Sequence, residues 1–274
     1  MNQTQHGTDG VLHKAPSVQS LRFELAIRRH LGILPGHGTM GVGTLSEKRM
    51  HAIIKHFLCE DEKYHEIPLN EKREKGDRKY IADVLVGNEA YEVQTGSFSA
   101  LRDKVRYYLE KTDYHVTLVH PLVRKRYINW MDPKTGDILK RNRSPRSESL
   151  KDIIPELWFI REHLSDPRLS VCVLILDADE FRFKDGWDRT GKRGSTKYDR
   201  IPTELVETVI FDKPEDYLRL LSKIPEELFS VKDLSSLCGI YGTYAYGFAG
   251  TLEALGLIEK AEMKGRAQGY RMKK

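Results

Sequence analysis

Two successive stretches of this sequence place acids where an apolar strand would ordinarily hold none. Lys79 to Val86 reads as a strand rich in β-branched and aliphatic residues; alternation puts Ile81, Asp83 and Leu85 on one face and Tyr80, Ala82, Val84 and Val86 on the other. After a Gly87-Asn88 turn, Ala90 to Thr95 reads as a further strand, with Glu92 and Gln94 on one face and Tyr91 and Val93 on the other. A carboxylate so placed is costly to desolvate unless a cation, a hydrogen-bond donor or a metal compensates it. Two acids on adjacent strands, followed by an amide, suit a hard divalent cation, and such an ion can activate water for hydrolysis. The competing reading is structural, with each acid paired to a nearby Lys or Arg.

The surrounding pattern supplies elements to position these groups. Met50, Ile53, Ile54, Phe57 and Leu58 make one apolar face of a helix from about Leu45 to Cys59, after the glycine-rich approach at 36–43. Tyr64 to Leu69 reads as a strand. After Gly96, the stretch Ser97 to Lys111 carries Leu101, Val105, Tyr108 and Leu109 at helical spacing, and Val116 to Val123 is a continuous apolar strand. A strand, helix, strand crossover is parallel and right-handed, so the expected class is α/β, a mixed sheet flanked by helices. Tyr127 to Met131 and Asp137 to Lys140 bracket a hairpin turn, and Leu150 to Leu164 is helical with an interruption near Pro155. Leu169 to Leu176 is another buried strand, and Asp177, Asp179 and Glu180 read as solvation of its end. The run Lys184 to Arg200, which includes Trp187 and Tyr198, reads as an exposed loop.

The order Asp83, eight residues, then Glu92-Val93-Gln94, on adjacent strands after a helix bearing Glu47, resembles the PD-(D/E)xK, or restriction-endonuclease-like, nuclease superfamily over about residues 45 to 125. The resemblance implies that Asp83, Glu92 and the backbone carbonyl of Val93 hold Mg²⁺ or Mn²⁺, with Glu47 as a first-helix acid beside them. Thr44-Leu45-Ser46-Glu47 equally fits a capping box at the helix start. In that superfamily a Lys two residues after the Glu orients the attacking water. Here Gln94 stands in that place; its amide can hydrogen-bond a water or a phosphate oxygen but carries no charge. The resemblance also implies that the lysine can be relocated, and Lys104, flanking the Leu101, Val105 and Tyr108 face, is the candidate. The stretch from Glu92 to Thr95 and its following helix is similar as well to a group of uncharacterised bacterial proteins.

The last 50 or so residues change character. Val231 to Cys238 and Thr243 to Leu255 are helices around a Gly-containing turn, and Ile258 to Ala261 and Gln268 to Met272 make two strands joined through Lys264-Gly265-Arg266. That order is of the winged helix-turn-helix kind. Thr243 to Phe248 would lead the recognition helix, with Tyr244 and Tyr246 available for stacking or phosphate contacts; Lys260, Lys264, Arg266, Arg271, Lys273 and Lys274 concentrate positive charge on the wing and tail. A second basic stretch, Lys140, Arg141, Arg143 and Arg146, could meet phosphates or simply rim a solvated loop. His51 and His56, five apart, do not share a helix face for a metal.

Composition bounds the rest. A formal charge of +5 on 274 residues favours a polyanionic partner, most naturally DNA. Three widely spaced cysteines, Cys59, Cys172 and Cys238, exclude a disulfide framework and a structural zinc site. No apolar run nears the roughly 20 residues that cross a bilayer, and the polar start lacks a signal-type stretch, so a cytoplasmic or nucleoid-associated location is expected. The expected organisation is an arm over 1–44, a nuclease-like domain over 45–212 and a winged helix over 213–274. Cutting both strands of a duplex would call for a two-fold homodimer, although no coiled-coil seam is visible. Two functions fit: a Mg²⁺-dependent endonuclease whose winged helix binds substrate, or an inactive nuclease-fold scaffold that binds DNA and regulates transcription.

Overall fold

The computed structural model describes residues 11–31, 46–69, 79–186, 195–225 and 227–273. In chain order the main elements are α1 (Pro16–Leu31), α2 (Ser46–Leu58), β1 (His65–Pro68), β2 (Ile81–Val86), β3 (Glu89–Val93), α3 (Arg102–Lys111), β4 (His115–Met131) and β5 (Ile138–Arg143). There follow α4 (Ile154–Ile160), β6 (Leu169–Phe183), β7 (Lys197–Phe211), β8 (Phe229–Ser230), α5 (Val231–Cys238), α6 (Thr243–Ala254), β9 (Ile258–Lys264) and β10 (Ala267–Met272). The larger sheet runs β1-β2-β3-β4-β6-β7, with β5 added on β4. β3 pairs with β4 in parallel, from Glu89 opposite His115 to Val93 opposite Val119, whereas β1 with β2 and β4 with β5 are antiparallel. The fold is therefore α/β, a mixed sheet flanked by helices, and the parallel pair is joined through α3 because parallel neighbours need a crossover. No helix among the described residues is long and apolar enough to cross a membrane.

The chain forms two compact units, each discontinuous in sequence. The first takes in the described parts of Met1–Gly87, Val123–Ser147 and Leu174–Thr208. Its helical layer is α1 against α2. The α2 face read from the sequence is buried as expected, with Ile53, Ile54 and Phe57 fully inaccessible. The loose arm expected over residues 1 to 20 and extended to 44 is corrected in part. Residues 11–13 form a 3₁₀ turn and α1 follows, burying Phe23, Ala26 and Ile27, with the Phe23 ring edge-on to Phe57 at 5.3 Å. The buried stripe of α1 is narrow, and Val18, Leu21 and Leu25 face outward, which hides the periodicity. Residues 1–10 and the glycine-rich 36–43 lie outside the described residues.

Three strands are longer than their apolar runs. β4 continues past Val123 to Met131, β6 past Leu176 to Phe183, and β7 starts at Lys197 inside the run read as an exposed loop; Trp187 lies outside the described residues. The acids read as strand-end solvation sit within β6 instead. Asp177 takes a bidentate pair from Arg124 at 3.0 and 2.8 Å, and Asp179 is 2.9 Å from Arg141. Cross-strand pairs of opposite charge hold a polar segment in a ladder as aliphatic pairs would, so the end of hydrophobicity was not the end of the strand.

The second unit takes in Asn88–Leu122, Glu148–Val173 and the described part of Val209–Lys274. Arg168 closes the last turn of α3 by donating to the carbonyls of Thr112 at 2.8 Å and Leu109 at 2.7 Å, a cation at the negative end of the helix dipole. Pro155 does not interrupt a helix; it stands in the first turn of α4 after a 3₁₀ turn at Leu150–Ile153, where its missing N–H has no cost. At the C-terminus Ser230 and Asp233 form a capping box at the start of α5, and Gly239 ends that helix with φ 67°. β9 and β10 after α6 join β8, which precedes α5, in a three-stranded sheet of order β8-β10-β9, and Gly265 turns the hairpin at φ 64°.

Gly269 marks the tightest point of this hairpin. A β-carbon there would lie 2.1 Å from the Glu262 carbonyl oxygen and 2.8 Å from Leu228, and the register shifts between Ala267 and Gly269. Backbone cannot retreat as a side chain can. Gly269→Ala is expected to destabilise the chain by about 3 kcal/mol through overpacking, read as a lowered midpoint of urea unfolding.

Candidate functional site

Glu92 is the more enclosed of the two acids read as metal-holding, at 1 % exposure on β3. Its Oε1 accepts the Tyr108 hydroxyl at 2.5 Å, and its Oε2 accepts a short contact from the Lys104 ammonium. Both donors stand on α3 one turn apart, so they share a face, and Val105 beside them is buried. The β3 to α3 crossover thus folds a cation and a hydroxyl onto the acid that precedes it. Lys104, the lysine singled out beside the Leu101, Val105 and Tyr108 face, thus meets Glu92.

Gln94 is held by its own turn. Its side-chain amide donates to the Ser97 carbonyl at 3.0 Å, and its backbone N–H donates to Val119 at 2.9 Å. Its carbonyl accepts from Nδ1 of His120 at 2.7 Å. His120, on β4, was not singled out from the sequence, where it reads only as one more residue of a strand. It is 7 % exposed, and burial holds its pKa below the ordinary histidine value, against the opposing pull of the Gln94 hydrogen bond. A neutral imidazole that donates from Nδ1 leaves Nε2 as an acceptor.

Asp83 belongs to the first unit and is held there by α2. Its Oδ2 lies 3.2 Å from Nε2 of His51, with the two side chains 21 % and 28 % exposed. His51 is partly buried and faces this acid. Lys55, one turn further along α2, donates to Glu66 of β1 at 2.9 Å and holds that carboxyl below its usual range. Glu66 is the one non-glycine residue among those described with a positive φ, 55°. Glu47 stands one helical turn before His51, but its side chain lies outside what the structure describes.

The residues expected to meet nucleic acid are exposed wherever they are described, and several of the basic ones are already paired; Lys274 lies outside the described residues. Lys140, Arg141 and Arg143 lie along the exposed β5, with Arg146 beyond it. Arg141 stacks on Tyr127 at 3.8 Å besides its bond to Asp179. At the C-terminus Lys260 pairs with Glu253, Lys264 with Asp233 and Arg271 with Glu262, while Arg266 is exposed at the hairpin turn. Asp233 is pulled down to about 2 by its bonds to Ser230 and by Lys264. Exposed pairs of this kind contribute little and open readily to a competing phosphate. Tyr244 and Tyr246 are 57 % and 69 % exposed at the start of α6. Further along, Gly247 and Gly250 form a notch filled by Trp158 of α4, so one flank of α6 is covered by protein.

The oxygen donors named by the sequence suit a hard divalent ion in type. At Glu92 the place of a cation is taken by Lys104, and among the described residues no three His, Cys, Asp or Glu side chains are gathered as a ligand set. Val93 lies next in β3, paired opposite Val119.

A family model with the description "Domain of unknown function (DUF8091)" matches residues 48–212, well over half the chain, from α2 to the end of β7. No curated protein and no solved structure matches the sequence.

Removing the Lys104 charge isolates the central pair. Lys104→Met leaves the Glu92 carboxylate buried with the Tyr108 hydroxyl but without its ammonium, and a broken buried pair costs about 3 to 5 kcal/mol. Urea unfolding without divalent ions is expected to show that loss, and Glu92→Gln combined with Lys104→Met is expected to recover most of it.

Proposed function

The chain belongs to the DUF8091 family, and for it we propose a nucleic-acid-cleaving enzyme, a metal-dependent phosphodiesterase on a restriction-endonuclease-like core. One observation carries the reading: the ammonium missing from position 94 of the strand is delivered to Glu92 from α3, by Lys104. On the sequence pattern the groups that would hold the cation are Glu92 and the Val93 carbonyl, with Asp83 of the first unit offered on that pattern alone; the structural support concerns Glu92. A bound Mg²⁺ or Mn²⁺ would polarise the phosphate and acidify a water.

The chain's own residues divide the remaining work. Tyr108 keeps one oxygen of Glu92 oriented through its hydroxyl. Lys104 is the group whose ammonium can orient an attacking water by donating a hydrogen bond to its oxygen, or neutralise a phosphate oxygen, once it leaves Oε2. Gln94 serves the turn rather than the water, since its amide is spent on Ser97. We read α5, α6 and the β9-β10 hairpin as a winged helix. Because Trp158 covers one flank of α6, its nucleic-acid contacts would come from Tyr244, Tyr246 and Arg266.

A second reading has its own support. Both oxygens of Glu92 and the amide of Gln94 already have partners within the protein, as a non-catalytic DNA-binding scaffold would require. Cleavage of mixed DNA and RNA in Mg²⁺ or Mn²⁺, together with melting temperature, separates the two. The enzyme reading expects metal-dependent cleavage that Glu92→Gln abolishes and Lys104→Met slows by about 10² to 10⁴, and a larger Mg²⁺-induced rise in melting temperature for Lys104→Met than for wild type. Nucleic-acid binding with neither cleavage nor any response to metal would establish the scaffold.

A further inference from the structure

Around Glu180, in the first unit, cations outnumber the acid that holds them. Glu180 lies on β6 at 1 % exposure. Its Oε1 accepts Arg182 through Nε at 2.5 Å, and its Oε2 accepts Arg200 through Nε at 3.2 Å and Nη2 at 2.9 Å. Behind them Arg126 of β4, itself 5 % exposed, has its Nε 3.7 Å from Oε2. Burial would raise the Glu180 pKa, but Arg200 and Arg182 outweigh it and hold the carboxyl below its usual range. One guanidinium would suffice to neutralise one carboxylate.

The nearby acid does not balance the excess. Asp199, 2 % exposed, faces Arg49 of α2, whose Nε is 3.0 Å away. That approach does not make a directed hydrogen bond, and burial pushes the Asp199 carboxyl up to about 6 in spite of Arg49. Lys197, at the start of β7, is exposed, yet crowding by protein and by Arg200, Arg182 and Arg126 lowers its pKa even with Glu180 counted.

The donors also reach solvent. Arg182 and Arg200 are 24 % and 31 % exposed in their side chains. Arg182 spends its remaining Nη1 on the Ser195 hydroxyl at 3.4 Å, a long bond, and Nη1 of Arg200 has no protein acceptor among the described residues. Glu180 therefore holds two part-exposed guanidinium groups, one on each of its oxygens, and the exposed Lys197 ammonium feels both. Planar forks held in this way match the oxygens of a phosphate, and a positive excess selects a multiply charged anion over a carboxylate.

We propose that Arg182, Arg200 and Lys197 form a phosphate-binding site, for which Glu180 is the positioning residue and Arg126 the buried support. The phosphate belongs either to a small phosphorylated compound or to a nucleic-acid strand. The proposal does not depend on the enzyme reading.

Inorganic pyrophosphate, titrated into the full chain against NaCl of matched ionic strength, tests it through melting temperature. Wild type is expected to gain several degrees. Arg200→Gln and Lys197→Gln are expected to bind at least tenfold more weakly, and Lys134→Gln, the same charge change in an exposed hairpin turn, to bind as wild type does. Lys197 makes no ion pair among the described residues, so its variant decides the matter even where Arg200→Gln fails to fold. A labelled single-stranded oligonucleotide that pyrophosphate displaces would assign the phosphate to nucleic acid; pyrophosphate binding without displacement would assign it to a small compound. Equal affinity in wild type, Arg200→Gln and Lys197→Gln, or no binding by wild type, would overturn the proposal.

Discussion

A carboxylate enclosed by a sheet destabilises the fold by several kcal/mol unless charge and hydrogen bonds meet it there, and the net gain from meeting it is small. This chain encloses Glu92 and Glu180 almost completely and solves each problem differently. Glu92 receives one ammonium and one hydroxyl, both from the helix that immediately follows its strand. Glu180 receives guanidinium groups from its own strand and from β7, with another from β4 close by. The first arrangement is matched in charge; the second overshoots. Matched and overshot acids are different objects chemically, because the matched one must be opened before it can act, whereas the overshot one already presents a field to solvent.

The parts of the fold that were legible in the sequence are those in which hydrophobicity and geometry coincide. The α2 face, the β3 to α3 to β4 crossover, the hairpin between β4 and β5 and the C-terminal helices all follow apolar periodicity or turn chemistry. What escaped was structure stabilised by charge. β4, β6 and β7 extend through Arg124, Asp177, Asp179, Glu180 and Arg200, residues whose types say solvent and whose partners, 20 to 53 positions away, are invisible to any local window. α1 escaped for a different reason: its buried stripe is too narrow to produce a clear period.

The candidate site shows the same division. Glu92 and Lys104 could be paired from the sequence because twelve residues of strand, turn and helix separate them. The engagement of Gln94 with Ser97 could not, since it is a property of the turn rather than of residue type. His120 gives no signal in sequence at all; only its bond to the Gln94 carbonyl distinguishes it from any other strand histidine. At the C-terminus the basic residues are where the sequence put them, but Glu253, Asp233 and Glu262 neutralise three of them locally, and Trp158 occupies a flank of α6 that residue types alone left open.

The distances along the chain between these partners also set an order of assembly. Tyr108 and Lys104 lie 16 and 12 residues from Glu92, a separation whose closure entropy is modest and which a growing chain completes soon after α3 has emerged. Arg200 lies 20 residues beyond Glu180, Arg126 lies on a strand more than fifty residues earlier, and Arg168, which ties off α3, comes 56 residues after Thr112. During synthesis the Glu92 clamp can therefore form while the end of α3 is still untied, whereas Arg124 of β4 meets Asp177 only once β6, some fifty residues later, has been made. The charge pairs that lengthen β4 and β6 thus close after the β3 to α3 crossover, so the polar ends of these strands are the later part of the sheet to be secured.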